Sequence, residues 1–345
     1  MPRRRPKTRS ERLATWYRKA KAGWQRGVAH FSARTLRIVG LVTLALIAGG
    51  IGYALAPRSI SPPPKPQITQ QAPQPAAPTP SVKPLAPPQH ATTTPSGPPP
   101  RPATQPAWLR YAVATPPIEA GKPLIAIVID DMGLDRPRSM RTLDLPAPLT
   151  LSYLPYAKEL ATQTALARLR GHELMVHIPM EPSGSADPGP NALKISMDEQ
   201  ELRRRLQEAL SQFDGFVGVN NHMGSRFTAT RASMEVVLSE LKKRGLLFLD
   251  SRTTAQSLGA QIAGEMGVPT VSRNVFLDDN MSSDNVVHQL AEVERISRKQ
   301  GYAVAIGHPH DNTIAALANW LPHLRERGFI VVPLTTIVAR QRGAG

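Results

Sequence analysis

The sequence predicts an α/β fold in which parallel strands form a distorted barrel, with chemistry gathered at one mouth. Three observations carry this. Residues 121–345 have the length of one barrel rather than of two ordinary domains. Eight short apolar runs within them alternate with helical patterns, as strand–helix–strand units do. Most of the runs end in Asp, His, Asn, Ser or Arg, the residue types that ligate metals, move protons or hold substrates.

The strand candidates, in order, are 124–129, 149–154, 174–178, 216–219, 246–249, 270–276, 303–306 and 329–332, most of them rich in β-forming residues. Between them, Ser196 and Glu199 offer a capping box for a helix reaching Leu210. Thr230 is placed to cap a helix that stops at Gly245. Ser283 or Asp284 begins another that ends before Gly301, and Gly171 and Gly328 close two more. Repeated connections of this kind imply parallel strands with helices outside. Ligands then gather at the carboxyl ends of the strands.

The chain ahead of this segment divides by composition. Residues 1–37 hold 12 Lys or Arg against one Glu, so most of the formal net charge of +16 lies in a basic tail. Residues 121–345 are nearly neutral, with 25 basic and 24 acidic side chains. A basic excess confined to a tail fits membrane topology and anionic lipid, and no nucleic-acid partner is expected. Residues 38–56 are an uncharged stretch dense in Leu, Ile, Val, Ala and Gly, about the minimum for a membrane-spanning helix. Arg34 and Arg37 before it and the nearly isolated Arg58 behind it keep the tail cytoplasmic. Ala54-Leu55-Ala56 resembles a cleavage site, but the long basic region favours an uncleaved anchor. Residues 57–120 hold 20 of the 35 prolines and read as a disordered spacer, up to roughly 200 Å long if fully extended at about 3.1 Å per residue. The absence of cysteine fits an oxidising compartment.

The strand ends carry the chemistry. The first gives Asp130 and Asp131, the third His177 and then Glu181, the fourth Asn220, Asn221 and His222, the fifth Asp250, Ser251 and Arg252, and the seventh His308 and His310. Singly, each has a plain structural explanation: Asp pairs start turns and cap helices, a lone His such as His222 sits in many cores, and Asp311 with Thr313 suits a helix start. Convergence at one mouth favours a site. No cysteine nucleophile, Gly-x-Ser-x-Gly elbow, P-loop or dinucleotide fingerprint competes with it in the folded segment, and no repeat suggests a solenoid.

Six stretches carry a resemblance: IVIDDMG at 127–133, HIPMEP at 177–182, GVNNHMGS at 218–225, FLDSRT at 248–253, RNVFLDD at 273–279 and AIGHPH at 305–310. In content and order they resemble the divergent polysaccharide deacetylases, relatives of the NodB-type carbohydrate deacetylases. The resemblance covers 123–340. It implies a distorted (β/α) barrel, a divalent metal, with zinc the expected ion, and an acetylated cell-envelope glycan as substrate. With the N-terminal anchor it implies a single-pass protein of the bacterial inner membrane whose C-terminal domain is periplasmic. No oligomeric state is fixed.

The resemblance also implies roles. Asp130 matches the base, Asp131 and His177 match metal ligands, and His308 matches the late acid that protonates the leaving group. Glu181 falls where ordinary members carry a second His; a carboxylate also binds zinc, and His222 is the alternative third ligand. Asn220-Asn221-His222-Met223-Gly224 replaces an Arg-Pro-Pro-Tyr-like motif, so oxyanion contacts do not carry over. Asn221, Arg252 and His310 are the candidates for touching substrate, His310 sharing a face with His308 if extended geometry continues. Asp250 is expected to orient a histidine. Arg252 and Arg273 either hold an anionic substrate group or pair with Asp278 and Asp279, the structural role weighing more. Two rivals stand beside the hydrolase. One is an inactive glycan- or protein-binding domain on the same barrel. The other is a glycosidase, against which the opposite facing of adjacent strand residues argues.

Overall fold

The computed structural model describes residues 105–343; the basic tail, the membrane segment 38–56 and the spacer up to residue 104 lie outside the described residues. Among the described residues no helix is long and apolar enough to cross a membrane. The strands are β1 (Leu124–Met132), β2 (Thr150–Tyr153), β3 (Glu173–Met180), β4 (Gly218–Met223), β5 (Leu247–Asp250), β6 (Thr270–Ser272), β7 (Val275–Phe276), β8 (Tyr302–Gly307) and β9 (Ile330–Val331). They form one parallel sheet in the order β6-β5-β4-β3-β2-β1-β8-β7, with β9 beside the start of β1. It is a half-barrel.

The helices are α1 (Ala107–Arg110), α2 (Arg136–Leu143), α3 (Leu160–Leu169), α4 (Glu199–Leu210), α5 (Arg231–Arg244), α6 (Gly259–Glu265), α7 (Ser283–Gln300), α8 (Asp311–Trp320) and α9 (Leu334–Gln341). Strand alternation divides the core in two. Ile125, Ile127 and Ile129 of β1 join a cluster with Leu206 of α4, Val237 of α5 and Val293 of α7. Leu124, Ala126 and Val128 face the other way and meet Met175, Leu247 and Val304. Each fully buried Leu, Ile or Val contributes roughly 1.5–3 kcal/mol relative to exposure. Ile337 and Val338 of α9 join this second cluster, which forms the base of the barrel interior. Continuing the same inner rows toward the strand ends reaches Asp130, His177, Ser251 and His308, which is why a polar floor sits on an apolar plug.

Four expectations need correction. Thr230 precedes α5 without capping it, its hydroxyl donating to Arg226 O at 3.0 Å. Residues 270–276 are two short strands rather than one, because polar Arg273 and Asn274 interrupt the apolar run; β6 pairs with β5 and β7 with β8. Arg273 N donates to Asp250 O at 3.0 Å and Asn274 N to Val304 O at 2.8 Å, so the segment stitches the two ends of the sheet together. The cap of α4 is Asp198, whose carboxylate accepts from Glu201 N at 2.8 Å, rather than Ser196. The spacer, expected to reach residue 120, gives way to packed chain by residue 107: Trp108 is 5% exposed in the inner cluster and its N–H donates to Gly245 O at 2.9 Å. A large indole buries more apolar area than the surrounding prolines can keep in solvent.

Candidate active site

The site begins with an irregularity. The register of β1 against β2 shifts between Ile129 and Met132, and Asp131 adopts φ 55 in the left-handed region. A bulge of this kind redirects a side chain. Asp130 and Asp131 therefore line the same cavity of about 410 Å³ instead of facing opposite ways, which corrects the alternation expected for neighbours on a strand. Their oxygens lie 3.6 and 3.3 Å from one nitrogen, His177 Nε2, converging on a point rather than flanking a bond.

Asp131, His177 and His222 meet there. Asp131 Oδ1 is 3.3 Å from His177 Nε2 and 2.9 Å from His222 Nδ1, and the two nitrogens are 3.2 Å apart. Ligand atoms sharing one tetrahedral zinc at about 2.0–2.1 Å stand about 3.3 Å from each other, so the three atoms fit such an ion. Asp131 Oδ1 is also buried without completing a hydrogen bond, as a ligand atom turned toward a cation would be. Of the two candidates for the third position, His222 reaches the cluster. Glu181 does not: its carboxylate accepts from Ile195 N at 2.8 Å and Arg226 Nη1 at 3.1 Å, because β3 ends one residue before it.

Asn220 holds this arrangement from beneath. Its Nδ2 donates to both Asp130 oxygens at 2.8 and 3.0 Å and to Ser251 Oγ at 3.1 Å, which leaves Oδ1 as an acceptor. His177 Nδ1 lies 2.9 Å from that Oδ1 and must carry the hydrogen. The tautomer leaves Nε2 free to ligate, the usual way an outer partner sets a histidine. Asp130 is 3% exposed, and burial pushes its carboxyl above the ordinary range. Burial acts in the same sense on Asp131, but the nitrogens of His177 and His222 outweigh it and hold that carboxyl well below.

Across the cavity stands His308. Its Nδ1 lies 2.9 Å from Asp278 Oδ1, while Asp278 Oδ2 accepts from His308 N and from Thr313 Oγ1, each at 2.7 Å. Burial opposes the imidazolium, yet the Asp278 carboxylate lifts it to about 9. Asp278, which the sequence suggested only as a partner for arginine, is thus the residue that orients a histidine. Asp250, expected to do so, instead accepts from Arg252 N at 2.9 Å, Ser257 Oγ at 2.8 Å and Ala260 N at 3.2 Å, holding the turn into α6.

The substrate candidates separate as well. Asn221 lines the cavity but is spent on backbone, donating to Met223 O at 2.7 Å and accepting from Ser251 N at 3.0 Å. β8 stops at Gly307 and His310 N donates back to His308 O at 2.7 Å, so the chain turns between them and strand alternation does not carry over; His310 precedes α8, its ring 5.6 Å from that of His308. Arg273 pairs with neither Asp278 nor Asp279 and donates to Ser251 O and Arg252 O at 2.7 and 2.8 Å. Arg252 lines the cavity.

The model of the family described as divergent polysaccharide deacetylase matches residues 127–338. The uncharacterized protein YibQ of Escherichia coli K12 is 34% identical over 221 residues, covering 63% of this chain and 68% of its own length. An uncharacterized Haemophilus influenzae protein is 34% identical over 202 residues, 59% of this chain and 72% of its own. The crystal structure of an uncharacterized Agrobacterium tumefaciens protein superposes with a TM-score of 0.65 at 32% identity, covering 67% of this chain and 94% of that one. The matched stretch contains every residue of the cluster and its paired histidine, and the chain belongs to the divergent polysaccharide deacetylase family.

Proposed function

We propose that the domain is a metal-dependent hydrolase that removes acetyl groups from a cell-envelope polysaccharide while tethered to the inner membrane by its N-terminal segment. The observation that supports this most is the Asp131–His177–His222 triangle with Asp130 on one side and the Asp278-paired His308 on the other. A divalent ion held by those three residues, zinc by their nitrogen and oxygen donors, would acidify water and polarise the acetyl carbonyl. Asp130, with a raised pKa and both oxygens anchored by Asn220, accepts the proton of the attacking water. His308, protonated at neutral pH by its pairing with Asp278, donates a proton to the departing amine or alcohol. Asn220 fixes base and ligand together, so neither has to reorganise when substrate arrives. The charge asymmetry around residues 38–56 supports a periplasmic domain on a single anchor.

The test combines metal analysis of the purified full chain with acetate release from acetylated chito-oligosaccharides. One equivalent of bound zinc-like metal, and loss of both metal and acetate release in Asp131→Ala, is the expected result. A chain that binds no metal and behaves the same after Asp131→Ala would leave the inactive binding domain as the better reading.

A further inference from the structure

One wall of the cavity is not used by the proposed hydrolysis. Arg252 and Arg273 both line it, and they are engaged very differently. Arg273 is committed: Nε and Nη2 donate to Ser251 O and Arg252 O, and the guanidinium lies 4.9 Å over the Phe276 ring. Arg252 has a locked backbone and a free head. Its N–H is held by Asp250 Oδ1, its carbonyl by Arg273, and its φ is 49, whereas its guanidinium makes no hydrogen bond or ion pair among the described residues.

No carboxylate forms an ion pair with it among the described residues. Asp130 and Asp131 are drawn to the histidines at the floor, Asp278 is bound by His308 and Thr313, and Asp250 is bound within its own turn. Asp279 accepts from Asn280 N and Asn285 Nδ2 on the far side of β7 in sequence. A second guanidinium, Arg273, lines the same wall. It is pulled below its ordinary pKa by burial and then by the charge of Arg252, against the opposing charges of Asp130, Asp250 and Asp279. A non-glycine residue held at positive φ costs free energy and persists where its surroundings enforce it. Here Asp250 and Arg273 do the enforcing, and the outcome is a guanidinium presented at the mouth without a counterion.

We propose that Arg252, with Arg273 beside it, is an anion subsite, so that the glycan acted on carries a carboxylate or phosphate on the acetylated sugar or its neighbour. The planar guanidinium fork matches either anion and would bind it in a geometry that fixes the acetyl group's register. The inference rests on reading the cavity as the acetyl-binding site.

Binding to the metal-free full chain tests it apart from catalysis. Calorimetry at low salt would compare three probes: neutral tetraacetyl-chitotetraose, the same tetrasaccharide phosphorylated on a 6-hydroxyl, and a peptide-free tetrasaccharide of alternating N-acetylglucosamine and carboxylate-bearing N-acetylmuramic acid. At least one anionic probe should bind about 10-fold or more tighter than the neutral one. Which anion gains tells carboxylate from phosphate. Arg252→Gln should erase the gain without weakening the neutral probe, and Arg252→Lys should restore part of it. Equal binding of all three, no binding of either anion, or a preference that survives Arg252→Gln overturns the subsite. Acetate release is measured separately on the zinc-loaded chain: if the preference holds while no probe is deacetylated, the hydrolase reading fails and the subsite stands.

Discussion

The barrel interior buries a carboxylate at each end, and the two behave differently. Glu173, at the base, is fully buried, and Asp130, at the mouth, is 3% exposed; burial pushes both above the ordinary carboxyl range. Glu173 is held by three donors. Its Oε1 accepts from Thr150 Oγ1 at 3.1 Å and Thr335 N at 3.2 Å, and its Oε2 accepts from the Thr335 hydroxyl. The Thr150 hydroxyl in turn accepts from Leu334 N at 3.1 Å, so the pair satisfies the first amides of α9, where a negative group is favoured. Asp130 receives a single amide nitrogen shared between its oxygens, and beside it Asp131 Oδ1 receives none. Desolvation therefore does not separate the two. What separates them is the spare bonding capacity that the mouth pair turns toward an open cavity, which suits the role proposed for Asp130.

Removing one charge at each end should have opposite consequences. Asp130→Asn should keep its metal and lose roughly 10²–10⁴-fold in kcat, the usual weight of a positioned base. Glu173→Gln should leave kcat unchanged and lower the unfolding free energy from denaturant titration by about 1–3 kcal/mol, because a buried amide cannot accept from all of the same donors. A Glu173→Gln enzyme as slow as Asp130→Asn would erase the distinction. Asn220→Ala is expected to weaken metal affinity about 10–100-fold in a competition titration, as loss of a histidine's outer partner does.

Pairing with Asp278 raises His308 from its ordinary value to about 9 against the effect of burial, so its protonated form is the one the fold favours. Its contribution to stability is complete below its unfolded value and disappears as pH rises through about 9. Turnover should fall over the same alkaline limb, and Asp278→Asn should move that limb down. The acid limb should lie above the ordinary carboxyl value, set by Asp130. The smallest effect belongs to Glu181→Gln, which should leave the metal content measured by elemental analysis unaltered, since Glu181 bonds to Ile195 and Arg226.

Much of this was legible in the chain because strands alternate faces and end at a common mouth. Asp130, Asp131, His177, His222 and His308 could be placed together from strand ends alone. What was not legible depended on which strand lies beside which. Asp250 and Asp278 both follow strands, but only β7 adjoins β8, so only Asp278 meets His308, and strand order is not written in local sequence. The choice of His222 over Glu181 turned on where β3 stops and on its register with β4, which sets His222 opposite Pro179. The bulge at Asp131 had no sequence signal because aspartate, not glycine, occupies it. Trp108 was hidden by the prolines around it.

Among the described residues, five non-glycines have positive φ, and three of them, Asp131, Met223 and Arg252, line the cavity. Such conformations cost on the order of 1–3 kcal/mol each. Selection for heat resistance would accordingly find easy gains at the rim, with Met223→Gly the first candidate. Variants that survive boiling best would be those in which the mouth has been allowed to slacken, and toughness would rise as turnover declined.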